Sequence, residues 1–222
     1  MSIVMRETPI EVGLPQFNRP QLVRSPLLLT ISLLGLLLAG CGASRPIRYY
    51  QLTYAPAAPA TQSALNVTLL VRSFDATHLF KEDRIMYSVN ANEVGAYEDS
   101  RWIAPPVEIL QTALVRGLRS SGQFRTIFTV RGEGGGDYAL TGYLYQFGEV
   151  DGSEIVARLN YIVRMRDRTT GNILWSHTYN HDEPATDKSI PAVVAAMDKN
   201  VQRSVQEVNA GLVEYFQANP PK

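Results

Sequence analysis

Cys41 is the one cysteine in a chain of 222 residues, and it follows Leu38-Ala39-Gly40 at the end of an apolar run. That pattern reads as a lipobox, where a bacterial secretory signal is cut and the new N-terminal cysteine carries lipid. Ala39 and Gly40 give a peptidase the narrow, extended backbone it needs. The run from Pro26 to Leu38 is too short to span a bilayer, which takes roughly 20 apolar residues. It suits the apolar core of a signal, with Arg19 and Arg24 as the charged segment before it. The competing reading is an uncut anchor helix with Cys41 as a buried thiol; the short run and the small residues argue against it.

The other chemistry-bearing residues form no constellation. His177 and His181 could share a metal on a helix, but they fall on an expected strand, where four residues separate side chains by about 13 Å. His78 is remote in sequence, so no metal ligand set is expected. The glycine-rich segment 132–137 lacks the Lys-Ser/Thr and the following helix of a phosphate cradle. No Gly-x-Ser-x-Gly elbow is present. The carboxylate pairs Glu98-Asp99 and Asp182-Glu183 sit beside no identifiable base and read as solvated turns. No catalytic residue and no cofactor is expected.

Residues 1–40 hold three arginines and two glutamates, which leaves 18 basic against 19 acidic residues and a net charge of −1 after cleavage. Nucleic acid is not an expected partner, because neutralising phosphates takes clustered Lys and Arg. With one cysteine there is no internal disulfide. The expected organisation is a signal peptide over 1–40, a lipid-anchored leash over 41–48 and one domain over 49–219.

The periodicity then supplies elements. Tyr49–Tyr54 and Asn66–Arg72 read as strands, with an Ala/Pro-rich linker between them. Arg84–Val89 and Glu93–Tyr97 read as a hairpin around Asn90-Ala91-Asn92. Val107, Leu110, Leu114 and Leu118 recur at helical spacing after Pro105-Pro106, and Gly122 ends that helix. Phe124–Val130, Tyr138–Val150, a strand from Ile155 and Ile173–Tyr179 follow. On the long strand, Tyr143, Tyr145 and Phe147 are expected on one face and Leu140 and Leu144 on the other. In the next, Ile155 to Met165 alternate apolar against polar. A last helix, capped by Ser189, carries the stripe Val194, Met197, Val201, Val205, Val208, Leu212 and Phe216. The sum is an α+β domain: a mostly antiparallel mixed sheet with two long helices on one face.

Two surfaces invite a partner. Tyr97, Arg101, Trp102 and Pro105 lie just before the first helix, and Trp and Arg are over-represented in interface hot spots. The plainer reading makes Trp102 a staple between the incoming loop and the core. The tyrosine-rich strand is apolar on both faces, so its second face is covered by long side chains, by a partner or by acyl chains.

These residues together resemble the ABC-type transport auxiliary lipoprotein family, which includes the PqiC lipoprotein. The resemblance rests on the lipobox, Tyr49-Tyr50-Gln51-Leu52, Tyr87-Ser88 ahead of Tyr97, and Arg101-Trp102 with Pro105 opening the Leu-spaced helix. It spans about Tyr49 to Phe216. It implies a fold similar to the N-terminal domain of TolB. It also implies a non-enzymatic component, lipid-anchored at Cys41 to the outer membrane and facing the periplasm. The implied partners are an MCE-domain protein and ABC or permease subunits, with lipids or hydrophobic compounds as cargo. A phospholipid bound directly and assembly with further copies of the chain both stay open. Gly42 carries no Asp after the cysteine, which favours the outer membrane over inner-membrane retention. The rival reading is a structural lipoprotein that acts as a protein-interaction module in outer-membrane assembly. Trp102→Ala separates the two roles of that residue: weaker partner recovery at an unchanged melting temperature marks a docking residue, and a large loss of stability marks a core residue.

Overall fold

A computed structural model describes residues 45–53, 65–90, 92–129 and 135–221. The lipobox, the Ala/Pro-rich linker and the first half of the glycine-rich segment lie outside them.

Nine strands form one mixed sheet around β7 (Tyr138–Asp151). One edge of β7 pairs along its length with β8 (Ile155–Asp167), which pairs in turn with β9 (Ile173–Pro184), both antiparallel. The other edge is divided among three parallel strands. β2 (Leu65–Val71) meets the start of β7, β3 (Asp75–Ala76) its middle and β4 (Arg84–Asn90) its end. Beyond β2 lies β6 (Phe124–Thr129), and beyond β4 lie β5 (Glu93–Trp102) and β1 (Arg48–Tyr50). The parallel ladders are short and the antiparallel ones long, so most of the paired length is antiparallel. The segment between β2 and β4, Phe74–Asp83, whose polar and charged residues read as a loop or short helical turn, holds β3 and a 3-10 turn, His78–Lys81.

The hairpin and the meander follow their sequence signals. Asn92 N–H donates to the Asn90 side chain at 2.9 Å, a turn that Asn favours. In β8 the six residues Ile155, Ala157, Leu159, Tyr161, Val163 and Met165 are all buried, as their alternation requires. Gly171 turns β8 into β9 at φ 75° and Gly122 follows the first helix at φ 63°, both in the region that favours glycine.

The expected faces of β7 hold only in its first half. A bulge between Leu144 and Gln146 sets Tyr145 off the ladder, so the parity reverses beyond it. Phe147 therefore joins Leu140 and Leu144 in the core instead of sharing a face with Tyr143 and Tyr145. There it meets Trp102 edge-to-face at 5.3 Å. Trp102 is 1% exposed, so its ring belongs to the core and is not part of a docking surface.

Two helices cover one face. α1 (Pro106–Ser120) begins on the carbonyl of Pro105, which accepts from Glu108 and Ile109 N–H at 2.9 and 3.0 Å. α2 (Ile190–Ala218) begins at Ser189, whose hydroxyl accepts from Ala192 N–H at 3.3 Å. The helices approach at Gly117, where a Cβ would run into the Val205 side chain. α2 also packs along β9, and alternate β9 residues reach it. Trp175 lies against Gly211, His177 lies 3.5 Å from Glu207, and Tyr179 O–H donates to Asn200 Oδ1 at 2.6 Å. His181 and Glu183 both reach Arg203, the latter at 2.8 Å.

Asn200 and Ser204 occupy the buried stripe of α2, while Val194 and Val205 are only half-buried. The Asn200 amide donates to Ala157 O at 2.8 Å and His181 O at 2.9 Å, so all its hydrogen-bonding capacity in the core is matched. Asn200→Ala removes both amide bonds and the Oδ1 acceptor, leaving the Tyr179 hydroxyl only the backbone carbonyl of residue 200 at 3.2 Å, and is expected to cost about 2–4 kcal/mol, since each buried hydrogen bond lost costs ~1–3 kcal/mol. Trp102→Ala is expected to cost about 3–5 kcal/mol. Urea unfolding of each variant checks both.

Candidate functional site

The four residues predicted to dock a partner separate into different roles. β5 carries extra residues where its pairing with β4 shifts between Arg84/Arg101 and Met86/Ala96, so residues 97–100 bow out of the ladder. Arg101 braces that bow: its Nη1 donates to Tyr97 O at 2.5 Å and Ser100 O at 2.9 Å. Its Nε lies 3.8 Å from Asp83. Tyr97 packs at a tilt against Tyr87, ring centres 5.0 Å apart, and its hydroxyl donates to Glu149 Oε2 at 2.7 Å. Trp102 turns into the core. Pro105 faces a cavity.

That cavity, of about 590 Å³, runs beside α1 between the helix and the β3 region. Phe74, Val107 and Val115 form its apolar floor, and Thr112 stands exposed on its wall. The Gln111 side chain holds its rim by accepting from Phe74 N–H at 3.0 Å. Around the mouth, Lys81, Arg116 and Arg119 oppose Asp75 and Glu108. Lys81 and Asp75 are 2.7 Å apart, and the ammonium beside it holds the Asp75 carboxyl below its ordinary range. The volume falls within the roughly 300–1,000 Å³ of ligand sites.

A second groove, about 250 Å³, lies on the sheet face away from the helices. Leu79, Met86, Val94, Tyr145 and Val150 line it. It exists because the bulge at Tyr145 lifts that ring outward, against Tyr143 at 5.0 Å. It falls below the usual size of a small-molecule site.

Neither groove holds a catalytic constellation. His177 and His181 lie on one strand and face α2, not each other. Among the described residues no group of three His, Cys, Asp or Glu side chains is arranged to hold a metal. Among the same residues no helix is long and apolar enough to cross a membrane.

Glu149 is the buried carboxylate of the molecule's interior. Burial is the main cause that pushes its carboxyl above the ordinary value; Asp151 adds to it, and the Tyr97 hydroxyl and Lys188 oppose it. Burial, then the bond to Glu149, pushes the Tyr97 hydroxyl up as well, so it stays a donor.

The family model for the ABC-type transport auxiliary lipoprotein component matches residues 50–209. Two solved structures share the fold. Protein XCC0632 from Xanthomonas campestris is 19% identical, with a TM-score of 0.71 over 78% of this chain and 98% of its own. An uncharacterized protein is 14% identical, with a TM-score of 0.60 over 76% of this chain and 99% of its own. No curated relative matches the chain significantly.

Because the folded state binds the Glu149 proton more tightly than the unfolded chain, stability from this group is fully present below about pH 4 and falls as pH rises through the folded value. Glu149→Gln removes the ionisation and keeps an acceptor for Tyr97. It is expected to raise the thermal midpoint near neutral pH and to give no gain at about pH 4, as read by melting curves across that range.

Proposed function

The chain belongs to the family of ABC-type transport auxiliary lipoprotein components, and from that premise we propose that it serves as the outer-membrane, periplasm-facing docking subunit of a lipid transport system. Family membership itself makes it a transport-associated lipoprotein, anchored at a membrane of the cell envelope and working with an ABC-type system. The family is a transport component and not an enzyme class.

The finer reading has three parts. Acylated Cys41 holds the domain at the periplasmic face of the outer membrane. The domain receives the end of an MCE-domain protein, whose inner-membrane permease and ABC subunits drive movement of lipids or other hydrophobic compounds. Its physical contribution is positioning, since a tether raises local concentration without adding contacts.

The observation that carries the docking role is the 590 Å³ cavity beside α1. It is half apolar, rimmed by charges of both signs, and large enough for side chains of an inserted segment. Pro105 lines it, and Arg101 and Tyr97 brace the strand that leads into it. The smaller groove on the open sheet face is too shallow in volume for a whole phospholipid, which favours protein docking over a soluble-ligand binder.

The test is recovery of the tagged, lipidated protein from envelopes in mild detergent, with proteins and lipids identified by mass spectrometry. Co-recovery of an MCE-domain protein supports the proposal. Recovery of peptidoglycan-associated or outer-membrane assembly proteins alone overturns it and favours the structural lipoprotein. Thr112→Trp fills the cavity from an exposed position. It is expected to lower partner recovery roughly ten-fold, the equivalent of ~1.4 kcal/mol of binding, at an unchanged melting temperature.

A further inference from the structure

The first described residues run Arg45-Pro46-Ile47-Arg48-Tyr49, and all five are exposed. They do not form a loose tail. β1 is laddered onto β5, Leu52 is buried, and Thr53 N–H and hydroxyl both donate to the Asp198 carboxylate on α2. The segment is therefore a fixed edge of the domain.

The register decides what that edge shows. Tyr50 pairs with Trp102 and shares its inward face; Tyr49 pairs with Arg101 on the opposite face. Ile103 N–H donates to Tyr50 O at 2.9 Å, which holds Ile103, the residue just past β5, beside β1. Ile47 stands two residues before Tyr49, just ahead of β1. Ile47, Tyr49 and Ile103 are 51%, 64% and 62% exposed. Arg101 between them does not break the patch with a free charge, because its guanidinium is turned onto backbone carbonyls.

The length of chain before this edge says what it faces. Six Cα–Cα steps lead from Cys41 to Ile47, so the two lie at most about 21 Å apart. A lipid on Cys41 thus keeps this edge within about 21 Å of the bilayer surface. The side chains are those that suit an interface: an amphipathic Tyr, two isoleucines, and arginines beside them for phosphate.

We propose that the β1 edge rests in the headgroup layer of the bilayer, with Ile47, Tyr49 and Ile103 entering it and Arg45 and Arg48 beside lipid phosphates. The inference rests on lipidation of Cys41. It adds to the lipid tether a second contact that fixes the orientation of the domain and presents the far side of the sheet to the periplasm.

Cys41 is the one cysteine of the chain, and acylation blocks its thiol, so a single introduced cysteine can be labelled alone. The lipidated protein is reconstituted in vesicles of phosphatidylethanolamine and phosphatidylglycerol, with an environment-sensitive fluorophore at Tyr49→Cys, at Ile103→Cys, or at Ile173→Cys on β9. At 49 and 103 the emission is expected to shift blue and to fall roughly two-fold with headgroup-level nitroxide lipids, as for an interfacial aromatic, while 173 stays unquenched. Absence of lipid quenching at 49 and 103 overturns the proposal. Protection there from aqueous iodide without lipid quenching also overturns it and assigns the edge to a protein. Labelling of the unsubstituted parent would reveal a free Cys41 and overturn the tether itself, a failure separate from that of the edge.

Discussion

A strand has two edges, and every peptide group on both must find a partner or water. In this protein that constraint falls on β7. Its one edge is satisfied by a single long neighbour, β8, and its other by three short ones in succession. Each of the three brings its own surroundings. β2 brings β6 and the end of α1; β3 brings the 3-10 turn; β4 brings β5 and, through it, β1. The cavity beside α1 lies where the first of these groups meets the second. The open-face groove lies where β7 bulges to reach the third. Both follow from dividing one edge among strands that cannot form a continuous ladder.

The bow in β5 shows how the same constraint reaches the surface. Residues 97–100 leave the ladder, and their carbonyls need donors. Arg101 supplies them from within the same strand, which uses its charge internally and leaves it half-buried. The strand then resumes with Trp102 inward and Ile103 outward. One residue thus fastens the core against Phe147, and the next is a large apolar side chain in water. Adjacent residues with opposite duties are what strict alternation produces at the rim of a sheet.

Much of this was legible. β8 could be read residue by residue because it is buried on one face only, and its alternation is the direct imprint of that burial. The two helices announced themselves through proline, a capping serine and apolar spacing. What could not be read was long-range. Nothing local to Tyr49 says that it runs parallel to Arg101, and nothing local to Leu69 says that it lies beside Tyr138. Phe147 was misplaced because alternation was carried through a bulge that no Gly or Pro marks. Trp102 stood between two readings, since a Trp before a helix has the same sequence signature as anchor or staple. Asn200 was missed because a polar residue within an apolar stripe looks like an interruption; only the carbonyls of two distant strands explain it. The lipidation signal, by contrast, is wholly a matter of sequence.

The divided edge of β7 also sets the order in which the chain can become a protein. β1 to β5 all precede β7, and those that pair with it do so in parallel across long separations. A chain emerging from its N-terminus has made six strands and α1 before the strand that unites them appears. Closing such distant pairs is slow, and strands waiting for a partner are prone to stick to one another. The local hairpins, β4–β5 and β7–β8–β9, can form alone, but the first has no sheet to join until β7 appears. Assembly is thus held back until about two thirds of the sequence has been delivered, and for that interval the nascent chain depends on whatever shields its edges.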